Sequence, residues 1–360
     1  MRITGIVLCL FTSLGALAQP EWQDGLFIKV RENPIMAADS TLTFFCPVRQ
    51  QTVRWQRADV FNPAAVVKDG KVYLLYRAED NPKAIIGGRT SRIGLAVSDD
   101  GIHFTKHPQP VLFPAKDGFE QIDQPGGCED PRVVFSDEGW YVMAYTSWNG
   151  TTARLSIAMS KDLIHWEKKG PAFAKASGGK YMNTWSKSGS MITRMVNGQP
   201  VAMKINGKYW MYWGEHFINL AWSTDLYTWH PTEDVHGDLV KLVTTRPGYF
   251  DSDLTECGPP AVLTDKGILL LYNGKNADSE KASTALPRGT YSVGQIIFDP
   301  ADPTKVLSRS DSPFVRPTLP HEITGQYAAG TTFAEGLVFF KGKWFLYYGT
   351  ADSYVGLAIK

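Results

Sequence analysis

The sequence predicts an all-β protein, a five-bladed β-propeller with a central funnel. One unit recurs five times: a short apolar strand, a turn at glycine, and an aromatic-rich strand. No helical pattern separates the copies, and the turn glycines recur at intervals of roughly 60 to 75 residues, enough for a four-stranded blade with long loops. A β-sandwich or jelly roll also uses many short strands, but neither demands this repeated order. The turn glycines are Gly70, Gly139, Gly207, Gly267 and Gly342.

The first two copies show the unit most clearly. The first runs over 62–76, with its turn at Asp69-Gly70, and continues through 93–98 and 99–104. Aspartate or asparagine followed by glycine between β-branched and aromatic runs indicates a hairpin, because tight hairpin turns require positive φ. The second copy has the same order over 130–135, 140–145 and 155–166, with a turn at Glu138-Gly139.

The remaining copies are shorter but keep the order. The third is predicted over 201–204, a turn at Asn206-Gly207, 209–213 and 220–229. The fourth runs from 260 to 272, and the fifth covers 331–360 with its turn at Lys341-Gly342. Trp166 and Trp229 follow Ser-x-Asp at equivalent positions, which predicts an architectural role for both.

The N-terminus predicts export. Arg2 supplies a positive start, 6–17 an apolar run, and Ala16-Leu17-Ala18 a small-residue cleavage signal. We therefore expect a signal peptide over 1–18 and a single propeller domain over 19–360, periplasmic or extracellular after cleavage. The apolar run is too short for a stable span of a bilayer roughly 30 Å thick, so no membrane anchor is expected. The alternative, an N-terminal strand or buried helix, lacks a surrounding partner pattern.

Charge and cysteine content exclude several function classes. The formal net charge is +1 with both signs interleaved, which provides no basic surface for nucleic acid. Outside the predicted signal peptide, Cys46, Cys128 and Cys257 match no zinc or redox spacing, and we expect buried thiols with at most one disulfide. No metal ligand motif and no cofactor motif is present, so the expected partner is a neutral small molecule or glycan.

Several phrases, in order, resemble glycoside hydrolase family 130 across most of 54–360. They are Asp59-Val60-Phe61-Asn62-Pro63-Ala64, Tyr76-Arg77-Ala78, Ser91-Arg92-Ile93-Gly94-Leu95-Ala96, Gly127-Cys128-Glu129-Asp130-Pro131-Arg132 and Tyr348-Gly349-Thr350-Ala351-Asp352. The resemblance implies a five-bladed propeller with a central pocket. It also implies activity on β-mannosides, mostly by phosphorolysis but in one branch by hydrolysis, with a mannose-containing oligosaccharide as substrate.

The resemblance assigns three catalytic carboxylates. Asp130 matches the family's acid, which in the phosphorylases acts through a hydroxyl of the bound mannose. The resemblance implies that the family's phosphorylases carry an Asn-Arg/Lys-Asp stretch in their third blade, followed by a His-Arg-Pro segment that helps hold phosphate. In those neighbourhoods this chain has 188–191 and 213–216, including Glu215. A carboxylate there repels an anion and can deprotonate water. Glu215 and Glu256 resemble the glutamate pair of the β-1,2-mannosidase branch and are assigned jointly to water activation; a salt bridge in the funnel wall is the alternative role of each.

Further residues are expected to bind the substrate. Arg77 resembles a substrate-binding arginine of the family, and Asn62 and Asp352 resemble residues that hold mannose hydroxyls; a purely structural role remains the alternative for each. The other predicted substrate-binding residues are Asp59, Arg132, His216 and Tyr272. Trp185, Trp213, Tyr249 and Tyr272 are candidate stacking surfaces for a sugar ring.

The sequence thus predicts an exo-acting, inverting hydrolase that releases mannose from β-mannosides, with the β-1,2 linkage favoured by the resemblance of Glu215 and Glu256. A phosphorylase that forms mannose 1-phosphate is the first alternative. A non-catalytic glycan-binding propeller is the second, but it would leave the acidic motifs without a role.

Overall fold

The computed structural model describes Trp22, residues 25–84 and residues 88–360. This part of the chain is nearly all β-structure: its helices are one α-helix, Glu120–Asp123, and two 3-10 helices, Ala176–Gly179 and Pro320–Glu322. Within the described ranges, no helix has the length and apolar character needed to cross a bilayer. The predicted signal peptide over 1–18 lies outside the described residues.

Strand pairing divides the described chain into consecutive antiparallel groups. The first group contains β4 to β7, and the second contains β8 to β11. The strands of the first are β4 Asp59–Lys68, β5 Lys71–Glu79, β6 Ser91–Ser98 and β7 Thr105–Lys106. Those of the second are β8 Gly127–Phe135, β9 Tyr141–Trp148, β10 Ala153–Ser160 and β11 Trp166–Pro171. The predicted hairpins at Gly70 and Gly139 are confirmed, and both glycines have positive φ, 72° and 78°.

The third group departs from its predicted boundaries. Its strands are β12 Ser190–Val196, β13 Gln199–Ala202, β14 Lys204–Ile205, β15 Lys208–Trp213, β16 Ile218–Ser223, β17 His230–Pro231 and β18 Lys241–Val243. The start of β12 pairs with β15, and so does all of β14. The rest of β12 pairs with β13, and these two strands form a hairpin inserted between the two segments that pair with β15. Residues 201 and 202 of the predicted inner strand over 201–204 therefore belong to this inserted hairpin, and Lys204 belongs to β14. The hairpin pairs in parallel with β8 of the second group and with a strand of the fourth, so contacts from neighbouring groups override the simple repeat.

The fourth and fifth groups complete the order. The fourth contains β19 Leu254–Cys257, β20 Ala261–Thr264, β21 Gly267–Lys275, β22 Tyr291–Phe298 and β23 Val306–Arg309. The fifth contains β24 Thr332–Phe340, β25 Lys343–Thr350, β26 Tyr354–Ile359 and β1 Ile28–Lys29. The fourth strand of the last group thus comes from the opposite end of the chain, which the repeat pattern did not reveal. A separate hairpin pairs β2 Phe44–Cys46 with β3 Gln51–Val53.

The hydrophobic core lies between the groups. In the described chain, one cluster packs the first group on the second, and three more pack the second on the third, the third on the fourth and the fourth on the fifth. A further cluster packs the fifth on the first, joining Val338 and Tyr347 to Leu74 and Tyr76. The groups therefore follow one another in a closed order, and the fold is propeller-like. Trp229 is fully buried in the cluster between the second and third groups, as its architectural role predicts.

Candidate active site

Irregularities in the first strands of three groups orient polar side chains. The pairing register shifts at Phe61/Pro63 in β4, at Glu129/Arg132 in β8 and at Ala334/Gly336 in β24. Such bulges re-aim a side chain that would otherwise follow the strand's alternation. Asn62 and Asp130 lie within two of them, with φ of 48° and 50°, a conformation uncommon outside glycine. The third bulge holds Glu335.

Asn62 and Asp130 meet at a buried hydrogen bond. Asn62 Nδ2 donates to Asp130 Oδ1 at 3.0 Å. The neighbouring strand must be free of a side chain here, because a Cβ added at Gly349 would lie 1.9 Å from Asn62 Oδ1. The Tyr-Gly-Thr phrase at the end of the chain therefore has a packing reason as well as a family resemblance.

Arg77 links the acidic residues of the first two groups. Its Nη1 lies 3.3 Å from Asp130 Oδ1, and its Nη2 lies 2.9 Å from Glu129 Oε1 and 2.7 Å from Glu79 Oε1. Its Nε also donates to Ser91 Oγ at 3.1 Å. Since these partners occupy the guanidinium and only 4% of Arg77 is exposed, the arginine organises the carboxylates around it.

The predicted residue Asp59 lies at the outer end of the same network. Arg89 Nη1 contacts Asp59 Oδ2 and lies 3.1 Å from Glu79 Oε2. A chain of alternating charges therefore runs from Asp59 through Arg89, Glu79 and Arg77 to Asp130. In this arrangement Asp59 supports the site through Arg89.

The third group contributes Glu215 through the segment between β15 and β16. Trp185 Nε1 donates to Glu215 Oε2 at 2.6 Å, and Lys187 Nζ lies 3.8 Å from Glu215 Oε1. Trp185 is 48% exposed and packs edge-to-face on Trp148, with ring centroids 5.8 Å apart. Glu215 is partly exposed, so it lies where the cluster opens to solvent.

Lys187 joins the two halves of the cluster. Burial alone would lower the pKa of Lys187, but attraction to four carboxylates raises it above its usual value. They are Glu215, Glu256, Asp130 and Glu129. All three predicted catalytic carboxylates therefore act on one ammonium group, which shows that the structure brings them together.

Glu256 is one of the carboxylates in this cluster that hold a proton at neutral pH. Burial, reinforced by the nearby Glu215, raises the pKa of Glu256 to about 8 against the opposing effects of Lys187, Arg132 and a hydrogen bond from Ser188 Oγ. Ser188 has a φ of 56° immediately before β12, which sets the direction of its hydroxyl.

On the Asp130 side of the cluster, the pKa of Asp130 is lowered, whereas the pKa values of Glu129 and Asp352 are raised. Burial opposes ionisation of Asp130, but Arg77, Lys187, Arg132 and the Asn62 amide hold its pKa below the usual value. Burial raises the pKa of Glu129 to about 7, with Arg77 opposing the rise, and burial likewise raises the pKa of Asp352 to about 7. Asp352 interacts electrostatically with both Arg77 and Asp130, so the predicted substrate-binding residue belongs to the cluster.

Arg132 is near the cluster but its guanidinium is occupied by protein groups. Its three nitrogens donate to the backbone carbonyl oxygens of Gly258, Asp130 and Cys257 at 2.9, 3.1 and 2.9 Å. Nη2 also lies 3.1 Å from Glu335 Oε1, and only 2% of Arg132 is exposed. These contacts do not support the predicted role in binding substrate directly.

Two other predicted substrate-binding residues, Tyr272 and His216, differ in burial. Tyr272 is fully buried between groups; its hydroxyl donates to Asp251 Oδ2 at 2.6 Å and accepts from Arg309 Nε at 3.2 Å. The structure therefore does not bring it to the cluster. His216 follows Glu215 but has an exposed side chain, and its backbone oxygen accepts a hydrogen bond from Thr255 Oγ1 at 3.2 Å.

The candidate stacking aromatics divide by exposure. Trp213 is 2% exposed in the core and Tyr272 is fully buried, whereas Trp185 and Tyr249 are 48% and 40% exposed. Only the latter two can offer a ring face at the surface. Tyr249 stacks on the Arg246 guanidinium at 4.3 Å, and Trp185 is bonded to Glu215.

Sequence reasoning missed five residues of this cluster: Glu79, Trp185 as a partner of Glu215, Lys187, Ser188 as a partner of Glu256, and Glu335. Lys187 directly precedes the 188–191 segment that was expected to differ from the phosphorylases. Glu335 carries a weaker signal, a charged residue within an otherwise apolar strand, and Glu79 lies two residues after Arg77 at the end of β5.

The structure also bears on cysteine and metal chemistry. Cys46, Cys128 and Cys257 are buried and free, as the sequence predicts. Across the described ranges, no group of three or more histidine, cysteine or acidic side chains is arranged to hold a metal ion.

Comparison with known proteins gives a consistent result. The family model Glyco_hydro_130, beta-1,4-mannooligosaccharide phosphorylase, matches residues 29–360. A 1,2-beta-oligomannan phosphorylase of Thermoanaerobacter sp. (strain X514) is 32% identical over 309 residues, which cover 85% of this chain and 90% of that protein.

Solved structures are similar over nearly the whole chain. A glycosyl hydrolase from Bacteroides ovatus is 47% identical with a TM-score of 0.91, covering 95% of this chain and 96% of that one. A second structure, 49% identical with a TM-score of 0.91 and the same coverage, accompanies the finding that this family of mannoside phosphorylases contains glycoside hydrolases that target beta-1,2 mannosidic linkages in Candida mannan. Because the family model matches residues 29–360, the protein belongs to glycoside hydrolase family 130.

Proposed function

We propose that this protein is an exo-acting, inverting hydrolase that releases mannose from β-1,2-linked mannosides. The observation that carries the proposal is the position of Lys187, the cation nearest Glu215, among four carboxylates. Lys187, which would otherwise attract inorganic phosphate, is already paired with the Glu215 carboxylate. Phosphate would therefore meet the negative charge of Glu215 beside the lysine, whereas water would meet a base.

The buried position of the carboxylates supports exo action. Asn62 and Asp130 are each 5% exposed and Glu256 is 4% exposed. An enclosed site of this kind accepts the end of a glycan more readily than an internal sugar, because an internal sugar requires an exit for the chain on both sides. The five strand groups, packed in closed order, are the blades of the propeller in this proposal, and the carboxylates occupy its funnel.

The charge pattern supports a division of roles. Inversion needs an acid at the departing oxygen and a base on the opposite face of the sugar. We assign Asp130 as the acid, acting directly or through a mannose hydroxyl, and Glu215 as the base that deprotonates water. Glu256, which retains a proton up to about pH 8, positions that water.

Asp130 must receive a proton before it can act as an acid. It and Glu129 interact with the same Arg77 guanidinium, and burial raises the pKa of Glu129 to about 7. The two adjacent carboxyls therefore titrate as a pair, and below about pH 7 the pair holds one proton. The form with the proton on Asp130 is the catalytically competent one.

The relatives support two reactions. A hydrolase agrees with the structure at 49% identity that accompanies the finding of hydrolases for beta-1,2 mannosidic linkages. A phosphorylase, our second candidate, agrees with the 1,2-beta-oligomannan phosphorylase at 32% identity. The first has the higher identity and the charge pattern around Lys187 in its favour.

The test is the rate of β-1,2-mannobiose cleavage with and without inorganic phosphate. We expect free mannose at the same rate in both conditions. Phosphate-dependent formation of mannose 1-phosphate would establish the second candidate instead. Binding of mannobiose without turnover under either condition would leave the non-catalytic propeller as the explanation.

We also propose that residues 1–18 direct export and are removed. The support is the positive start, apolar run and small-residue cleavage signal of the sequence. N-terminal sequencing of the protein from its native host should begin at Gln19. A retained Met1 in the mature protein would reject the proposal.

A further inference from the structure

Arg132 connects the strands that carry two of the assigned catalytic carboxylates. Arg132 is on β8, two residues after Asp130, and its Nη1 donates to the backbone oxygen of Asp130 at 3.1 Å. Its Nε and Nη2 cross to the fourth group and donate to the backbone oxygens of Gly258 and Cys257, each at 2.9 Å. These two residues directly follow Glu256. One guanidinium therefore spans the distance between the Asp130 backbone and the Glu256 backbone.

A third group holds the same guanidinium. Glu335, at the bulge of β24 in the fifth group, places Oε1 3.1 Å from Arg132 Nη2. Glu335 is fully buried, and neither of its oxygens has a hydrogen bond within the described residues, so the contact with Arg132 is its main polar contact. Burial raises the pKa of Glu335 well above its usual value although Arg132 opposes the rise, so this contact does not depend on a charged carboxylate. Arg132 is thus fixed from three groups at once.

The chemistry of this contact requires arginine. A planar guanidinium can direct hydrogen bonds to three carbonyl oxygens in fixed directions, whereas a lysine ammonium is a point charge on a flexible stem. Because an inverting mechanism needs the acid Asp130 and the water that Glu256 positions on opposite faces of the sugar, a contact that sets the relative position of the two strands also sets the catalytic geometry.

We propose that Arg132 is a positioning residue that fixes the separation between Asp130 and Glu256, with Glu335 holding its guanidinium in place. The proposal rests on the assignment of Asp130 and Glu256 as catalytic in the proposed function. It replaces direct substrate binding as the role of Arg132. A purely stabilising arginine is the competing explanation, and the experiment separates the two.

The test compares Arg132→Lys with Arg154→Lys. Arg154 is a suitable control because it is also buried and donates to the backbone oxygens of Met182 and Thr152, but it lies on β10 away from the carboxylates. Total cleavage of β-1,2-mannobiose is measured as mannose plus mannose 1-phosphate, so the result does not depend on which acceptor is used. Thermal unfolding of both variants is measured in parallel.

We expect Arg132→Lys to lower kcat about 100-fold with little change in KM, because the sugar still binds while the carboxyl groups are misplaced. Arg154→Lys should leave kcat and KM near the wild-type values even if it is equally destabilised. A kcat for Arg132→Lys that falls no further than that of the control would overturn the proposal.

Two further measurements keep the proposal testable if the lysine variant does not fold or the substrate is not cleaved. Glu335→Leu removes the carboxyl that contacts the guanidinium and leaves the three carbonyl contacts in place, and should lower kcat about tenfold; an unchanged kcat would count against the proposal. Crystal structures of the wild type and Arg132→Lys should show the Asp130 to Glu256 carboxyl separation changed by about 0.5 Å or more. An identical separation would refute positioning, whatever reaction the enzyme catalyses.

Discussion

At the scale of single residues, the two glutamates of the proposed water site differ in environment. Glu256 is buried beside Ser188 and Arg132, and Glu215 lies at the opening beside Trp185 and Lys187. The same side-chain type therefore serves two roles, because burial favours the neutral form of a carboxyl group.

This difference predicts unequal effects of matched substitutions. Glu215→Gln removes the proposed base and should lower kcat by a factor of roughly 10² to 10⁴. Glu256→Gln replaces a carboxyl that already holds a proton with a neutral donor of the same size, so it should retain more turnover than Glu215→Gln. Steady-state kinetics at pH 6 on the two folded variants provides the measurement. The reverse order of activities would contradict the assignment.

The raised pKa values predict a pH dependence. Burial raises the pKa of Glu129 to about 7 and that of Glu256 to about 8, so both groups hold protons below these values and lose them above. Since the mechanism uses both protons, kcat should fall as the pH rises from about 7 to about 8. A kcat that increases over this interval would show that the deprotonated forms are the active ones.

Trp185 offers a separate test of Glu215. Trp185→Phe keeps an aromatic ring at the rim but removes the indole donor that bonds Glu215 Oε2 at 2.6 Å. Without this donor the Glu215 carboxylate is held in place less firmly, so kcat should fall about tenfold with little change in KM. Tyr249→Phe, at another exposed aromatic residue, is the control. An unchanged kcat in Trp185→Phe would remove Trp185 from the mechanism.

At the scale of elements, an aspartate-centred turn recurs in three of the strand groups. Ser160 and Asp162 form one such turn: Asp162 Oδ1 accepts from the backbone nitrogens of Ile164 and His165 at 2.8 Å, and Oδ2 contacts His165 Nδ1 at 2.7 Å. The same pattern recurs at Asp100 and Asp225. Hydrogen bonding of a carboxylate to backbone donors replaces the partners that a turn leaves unpaired.

This motif predicts a stability change with a defined pH dependence. Although burial opposes it, hydrogen bonding by His165 and the backbone lowers the pKa of Asp162, so the carboxylate stabilises the fold above its unfolded pKa of about 3.9, and this contribution is lost as the pH falls through the lower folded value. Asp162→Ala should cost about 1 to 2 kcal/mol at pH 7 and less near pH 3. Chemical denaturation checks this, with Glu138→Ala, at an exposed carboxylate of the same group, as control. A cost independent of pH would contradict the account.

Sequence alone predicted the elements that depend on local turn chemistry. The hairpins at Gly70, Gly139, Gly207 and Gly342 follow from residues that adopt positive φ. It did not predict the inserted β12–β13 hairpin or the pairing of β1 with β26, because both are decided by contacts between residues far apart in the chain. The repeat describes each group, but the connections between groups depend on tertiary packing.

The same distinction applies to the site at the scale of the whole molecule. Asn62, Asp130, Glu256 and Asp352 could be predicted because they lie near strand ends or in phrases that resemble the family. Lys187 and Glu335 could not be assigned, because their significance depends on which carboxylates surround them once five groups meet. Arg132 lies beside the site as expected, but the sequence could not show that its guanidinium contacts backbone oxygens of another group.

The central claim, that water is the acceptor on the face of the sugar opposite the leaving group, concerns the molecule as a whole. The most direct measurement is NMR and mass analysis of the initial product from β-1,2-mannobiose cleaved in H₂¹⁸O with inorganic phosphate present. We expect the mannose from the non-reducing end to appear first as the α anomer with ¹⁸O at its C1 hydroxyl, because the proposed base Glu215 would direct water to the face opposite Asp130. Mannose 1-phosphate, or ¹⁸O on β-mannose as the first labelled anomer, would contradict the account.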